Sequence, residues 1–149
     1  MLRLHGMMGR SDEPRFHDRL HALEHAGGIE QVHIPEADLG GRRFRLTSDK
    51  GTDCAISLDR DETLVDGALL LLDDSRAVIV RVGEARILRL RPADAGAALQ
   101  LGWNAGNLHW RVRFEDGDLI VLLDGPADDY RGRVRPLLEA GLVEEVDGR

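Results

Sequence analysis

The side chains best placed to do chemistry in this sequence are its six histidines: His5, His17, His21, His25, His33 and His109. Neutral imidazole is the commonest protein ligand for transition metals. His17, His21 and His25 recur at every fourth residue of "HDRLHALEHAGG". On an α-helix each step of four drifts by about 40°, so neighbouring pairs reach a common ligand. Phe16, Leu20 and Leu23 gather on the other side of that helix, which turns the histidines toward water. An i,i+4 pair of exposed imidazoles can hold zinc, nickel or copper; the stripe can also be a solvated polar face without a ligand. His5 and His33 stand singly in strand-like segments, where a structural or surface role is expected.

His109 lies in "GWNAGNLHW", residues 102–110, with both tryptophans of the chain. Gly102 and Gly106 make this segment a poor helix interior. Leu108, Trp110, Val112 and Phe114 alternate, which predicts a strand with those four toward the core and His109, Arg111 and Arg113 on the open face. One imidazole binds a divalent ion weakly. A two-fold dimer presents every residue near its axis twice, so one histidine becomes a pair.

The elements that must position these side chains fall into two groups. The first half predicts an opening strand, a helix capped by Ser11 and ended by Gly27-Gly28, and strands at "IEQVHI", "RRFRLTS", "TDCAISL", "GALLLL" and "AVIVRV". "RRFRLTS" and "TDCAISL" form a hairpin around "DKG". The second half predicts a strand at "ARILRLR", with Leu88 and Leu90 on one side. A helix at "PADAGAALQLG" begins with proline at an early position. A hairpin of "LHWRVRFE" and "DLIVLLD" and a helix through Tyr130, Val134, Leu137 and Leu138 follow, then a last strand at "LVEEV". Pro136 makes that second helix short or bent. The expected class is α+β: a small β-rich domain over residues 1–75, then a ferredoxin-like βαββαβ domain over residues 76–149.

Composition narrows the function. The chain has 149 residues and a net charge of −7. Its tightest basic cluster, "RRFR", lacks the interleaved aromatics of a nucleic-acid surface, so no nucleic-acid partner is expected. "ALLLL" is far shorter than the ~20 apolar residues of a membrane span. No apolar leader core opens the chain, and a cytoplasmic location with no membrane partner is expected. The single cysteine, Cys54, alternates with Ile56 and Leu58 and reads as a buried thiol. Arg111 and Asn107 invite comparison with small acyl-phosphate hydrolases. No glycine-bordered phosphate cradle and no nucleophile–base pair accompanies them, so no catalytic activity is expected.

The chain resembles the E-type urease accessory proteins across nearly its whole length, through "RLHALEHAG", "RRFRLTSDKGTDCAISL", "DGALLLLDD" and above all "GWNAGNLHWRVRFEDGDLIVLL". That family carries a Gly-Asn-x-His element after a helix, which here reads Gly106-Asn107-Leu108-His109. The resemblance implies a nickel metallochaperone. Its N-terminal domain would bind a partner polypeptide, and its C-terminal domain would form a homodimer in which His109 and its symmetry copy share one Ni²⁺. Delivery would be to apo-urease, with the accessory GTPase and its companion proteins, and Zn²⁺ or Cu²⁺ would compete for the donors. His17, His21 and His25 would be auxiliary sites. Three departures are visible. Trp103-Asn104 stands where many relatives have an aromatic–histidine pair, "LVEEVDGR" carries no histidine, and Leu123 and Gly125 beside Asp124 cannot ligate. One interfacial ion per dimer is the expectation that survives them. A metal-independent, peptide-binding adaptor is the alternative.

Overall fold

The alternating apolar runs of the first half become strands that pair across long stretches of chain. The structure, a computed structural model, describes residues 1–147. The end of the histidine-free C-terminal segment, residues 148 and 149, lies outside the described residues. Two compact units are formed, Met1–Glu84 and Ala85–Arg149. A boundary at 75/76 would separate Ala68–Leu72 from Ala77–Val82, which pair as adjacent antiparallel strands. The break therefore comes later than that expectation, after the second of them.

In the first unit, β1 (Leu2–His5), β5 (Asp53–Ser57) and β4 (Arg43–Thr47) form one sheet. β4 and β5 are the expected hairpin, and β1 lies parallel to β5. The second sheet has the order β2 (Gly9–Arg10), β6 (Ala68–Leu72), β7 (Ala77–Val82), β3 (Ile29–Ile34). There β3 runs parallel to β7 in unbroken register from Ile29↔Ala77 to Ile34↔Val82. Leu4, Cys54 and Ile56 of the first sheet share one core with Val32, Ile34, Leu70, Val78 and Val80 of the second. Burial raises the Cys54 thiol above its ordinary range, which agrees with an inert thiol.

The other face of the second sheet carries Leu69, Leu72, Ala77 and Ile79, and α1 (His17–Ala26) covers it with Leu20, Leu23 and the neighbouring Phe16. Ser11 does not cap this helix. Pro14–Phe16 form a separate 3₁₀ turn, and α1 starts behind it without a side-chain cap. Proline has no N–H to donate and stands at the head of that turn, so the entry is set there. The exit is as expected. Gly27 adopts φ 73, and Gly28 donates its N–H to the Leu23 carbonyl at 2.8 Å. A Cβ on Gly28 would lie 2.5 Å from the Ser75 carbonyl oxygen, so the chain passes too close there for any side chain.

The second unit runs β8 (Ile87–Pro92), α2 (Ala95–Asn107), β9 (Val112–Glu115), β10 (Asp118–Leu122), α3 (Ala127–Arg133), α4 (Arg135–Glu139), β11 (Val143–Val146). The sheet order β11-β8-β10-β9, antiparallel throughout, is the split βαβ arrangement of a ferredoxin-like fold. Leu88, Leu90, Leu119 and Val121 pack beneath Leu101, Ala105, Val134 and Leu137 of the helices. Pro92 closes β8 rather than opening α2. Asp94 is the cap, its Oδ1 accepting the Ala97 N–H at 2.8 Å. Pro136 divides the last helical segment in two, standing in the first turn of α4, where its missing N–H costs nothing.

On the sheet face opposite the helices, Asp118 is buried and takes both arginines of β8. Its carboxylate accepts from Arg89 Nε at 2.6 Å and from Arg91 Nε at 2.9 Å. Hydrogen bonds from Arg91 and then Arg89 hold the Asp118 carboxyl down at about 2.

Candidate metal centre

The glycines of "GWNAGN" do not interrupt α2, which continues through Gly102 and Gly106 to Asn107. Ala97, Leu101 and Ala105, spaced by four, are buried against the sheet. That packing outweighs the ~1 kcal/mol that each exposed glycine costs a helix relative to alanine. The helix then ends in a tight turn. His109 donates its N–H to the Gly106 carbonyl at 3.1 Å, and Trp110 donates to the Ala105 carbonyl at 3.0 Å. This is the hydrogen-bond pattern of a Schellman cap, whose left-handed residue is usually glycine. Here that residue is His109, with φ 55.

His109 is therefore not the first outward residue of a strand. β9 begins only at Val112, and the imidazole is displayed at the end of α2 by a left-handed turn. The side chain is exposed. A residue with a Cβ reaches this backbone region at a cost, and histidine is among the types found there more often than most.

The alternation expected beyond His109 holds in part. Trp110 and Val112 pack on the core, Trp110 against the Tyr130 ring at 5.2 Å between centroids. Phe114, expected inside, is 79% exposed. It lies on β9, at the edge of the sheet of described strands, where its ring stays open to solvent. Arg111 is not an exposed companion of His109. Its side chain is 11% exposed and lies 3.5 Å from Asp124. Arg113 leans on Glu115 at 3.7 Å.

Two residues for which the sequence predicts no shared surface stand out on α2. Leu99 is 76% exposed and Trp103 70%. They are four apart, so they form one apolar ridge on the side of α2 away from Leu101 and Ala105. The signal was present in the spacing: both lie two residues from the buried i,i+4 row. It was hidden while the segment was read as non-helical.

In the first unit the histidine stripe is exposed along α1, as its periodicity predicts. His21 and His25 meet, with 3.2 Å between their Nε2 atoms. His17 stacks on His21 at 6.2 Å between centroids. Among the described residues no three His, Cys, Asp or Glu side chains gather as a metal-holding group.

The family model described as "UreE urease accessory protein, N-terminal domain" matches residues 15–83, from the 3₁₀ turn before α1 to just past β7. The chain is also 46% identical over 146 residues to urease accessory protein UreE 1 of Pseudomonas syringae pv. syringae strain B728a, covering 98% of this chain and 100% of that protein. The chain belongs to the UreE family of urease accessory proteins. Urease accessory protein UreE 1 of Pseudomonas syringae pv. tomato strain DC3000 is 45% identical over the same shares of both chains. The UreE of Natronomonas pharaonis is 35% identical over 81% of this chain and 59% of its own length. UreE proteins are accessory chaperones and not enzymes, which removes the hydrolase comparison raised by Arg111 and Asn107. The match to the two Pseudomonas relatives spans both units, so the His109 turn and the α2 ridge lie inside the shared region. No helix among the described residues is long and apolar enough to cross a membrane.

Proposed function

We propose that this chain is a cytoplasmic nickel carrier of urease maturation, working as a homodimer. His109 of each copy donates one imidazole to a shared Ni²⁺, and the ion passes to apo-urease with the help of the accessory GTPase and the other urease accessory proteins. The observation that carries this reading is the exposed His109 in a left-handed cap, on the helix that also presents Leu99 and Trp103. An uncovered apolar ridge of this kind marks a protein contact. A two-fold contact there would bring in the second imidazole that a single chain lacks. The β-rich first unit would serve as the dock for a partner polypeptide.

Nickel is cargo in this reading. Imidazole suits Ni²⁺, and two neutral imidazoles with water or oxygen donors in the other positions leave the ion free to exchange. Zn²⁺ and Cu²⁺ can occupy the same donors, so selectivity would reside in the partner complex. Titration of the tag-free protein with NiCl₂, with sedimentation on the same samples, tests the proposal. The expected result is a dimer whose tightest site holds one Ni²⁺ per two chains and disappears in His109→Ala while the dimer persists. A monomer, or a His109→Ala variant with that site unchanged, overturns it. Absence of any tight Ni²⁺ site in the dimer would favour the metal-independent adaptor.

A further inference from the structure

The carrier reading assigns no ligand to α1, yet two metal-ligating side chains meet on its exposed side. His21 Nε2 and His25 Nε2 are 3.2 Å apart, with the rings 4.7 Å between centroids and nearly perpendicular. We propose that His21 and His25 form a second transition-metal site, one per chain and independent of the dimer, that takes a divalent late first-row ion and holds Cu²⁺ tightest.

The geometry supports this in three respects. First, in a hydrogen bond between two imidazole nitrogens one ring donates and the other accepts, so both nitrogens aim at the space between them. A cation entering there takes a lone pair from each Nε2 once the donor ring, by proton exchange with water, carries its proton on Nδ1, so that both rings ligate as neutral imidazoles. Second, the spacing fits. Metal–nitrogen bonds of about 2.0–2.1 Å that span this gap enclose an angle of roughly 100–106°. That value lies between the right angle of square-planar or octahedral Cu²⁺ and Ni²⁺ and the tetrahedral angle of Zn²⁺. Closing to a right angle brings the nitrogens together by a few tenths of an ångström, which small rotations of two exposed side chains supply. Third, the charge is favourable. His25 lies in the last turn of α1, where the helix carbonyls favour a cation.

The site is a pair and not a triad. His17 lies parallel to His21, the ring planes within 11°, so its nitrogens do not point at the same spot. With two protein donors the remaining positions belong to water, and the ion exchanges readily. For such N-donor sites copper binds more strongly than nickel or zinc.

The test uses the full tag-free chain carrying His109→Ala, so that the interfacial donor is silent. Equilibrium dialysis against CuCl₂ should give one Cu²⁺ per chain, and the electron paramagnetic resonance spectrum should show coupling to two nitrogens. Adding His21→Ala or His25→Ala should weaken that site about a hundredfold, the loss expected when two-point attachment becomes one-point. Adding His17→Ala should change it by less than about threefold, since that ring is not one of the two attachment points. These side chains are exposed on a helix, where alanine is the best helix former, so the variants retain the fold. Failure to bind Cu²⁺ in the His109→Ala chain, unchanged binding after His21→Ala and His25→Ala, or an equal loss with His17→Ala each overturns the proposal. None of these results bears on the His109 site, whose own test is the one-per-dimer stoichiometry.

Discussion

Replacing His109 by glycine should make the protein more stable while removing its proposed nickel donor. The backbone at His109 has φ 55, and a residue with a Cβ held there costs about 1–2 kcal/mol relative to one without. Glycine loses more freedom on folding, which offsets ~0.5–1 kcal/mol of the gain. The clean comparison is therefore His109→Gly against His109→Ala. Both lack the imidazole and any contact it makes, and they differ only in the strain and in this entropy. The glycine variant should be the more stable by roughly 0.5–1 kcal/mol. For a unit of the size of Ala85–Arg149 that difference raises Tm by about 2–8 °C, and by about 1–4 °C if both units unfold together. Urea unfolding at fixed protein concentration, followed by tryptophan fluorescence, measures it, because Trp103 and Trp110 flank the turn. A glycine variant no more stable than the alanine variant would refute the reasoning. His109 would then stand on an ordinary extended strand, as the bare alternation of the sequence implies.

Other expectations follow from the same structure. Trp103→Glu should place a charge on the exposed ridge and weaken the proposed dimer by at least about thirtyfold, the usual loss for a central aromatic anchor; sedimentation equilibrium should show the mass falling toward that of one chain. The Asp118 carboxyl lies lower when folded, at about 2, than its ordinary value of 3.8, so its contribution is complete above pH 4 and is lost as pH falls from about 4 toward 2. Asp118→Asn should lower Tm at neutral pH and flatten the acid limb of the Tm–pH profile; an unchanged acid limb would exclude this group as its source. Gly28→Ala should destabilise the first unit by about 1–3 kcal/mol, because the new Cβ meets the Ser75 carbonyl, and a shifted urea midpoint checks it.

Much of the architecture was legible because hydrophobic period and turn chemistry agreed. The β4–β5 hairpin, the inward Leu88 and Leu90, and the row Tyr130, Val134, Leu137, Leu138 all follow from local pattern. The misreadings came where tertiary packing outvoted local propensity. Gly102 and Gly106 argue against helix taken singly, yet Ala97, Leu101 and Ala105 hold α2 on the sheet across them. Phe114 argues for burial, but an edge strand at the end of the sheet leaves it bare. Ser11 was a plausible cap that Pro14 displaced by starting its own turn. At the candidate site the way the fold presents His109 was not legible. Nothing in "GNLH" announces that histidine will take the left-handed place usually given to glycine. Likewise, spacing by four treats His17–His21 and His21–His25 as equivalent, and only the side-chain torsions join the second pair.

The parallel pairings of the first unit bear on how the chain is made. β3 takes β7 as its strand neighbour and β1 takes β5, each with dozens of residues between. During synthesis at ~5–20 residues per second, about 2–10 s separate the appearance of Ile34 from that of Val82. For that interval the edge of Ile29–Ile34 that pairs with β7 waits for its strand, and α1 waits for the Leu69, Leu72, Ala77 and Ile79 face that it covers. The second unit shares part of this wait: β8 meets β10 early, but its other neighbour, β11, is the last strand made. Assembly at the ribosome therefore leaves the amino-terminal strands waiting for their sheet neighbours, although they are the first to be translated.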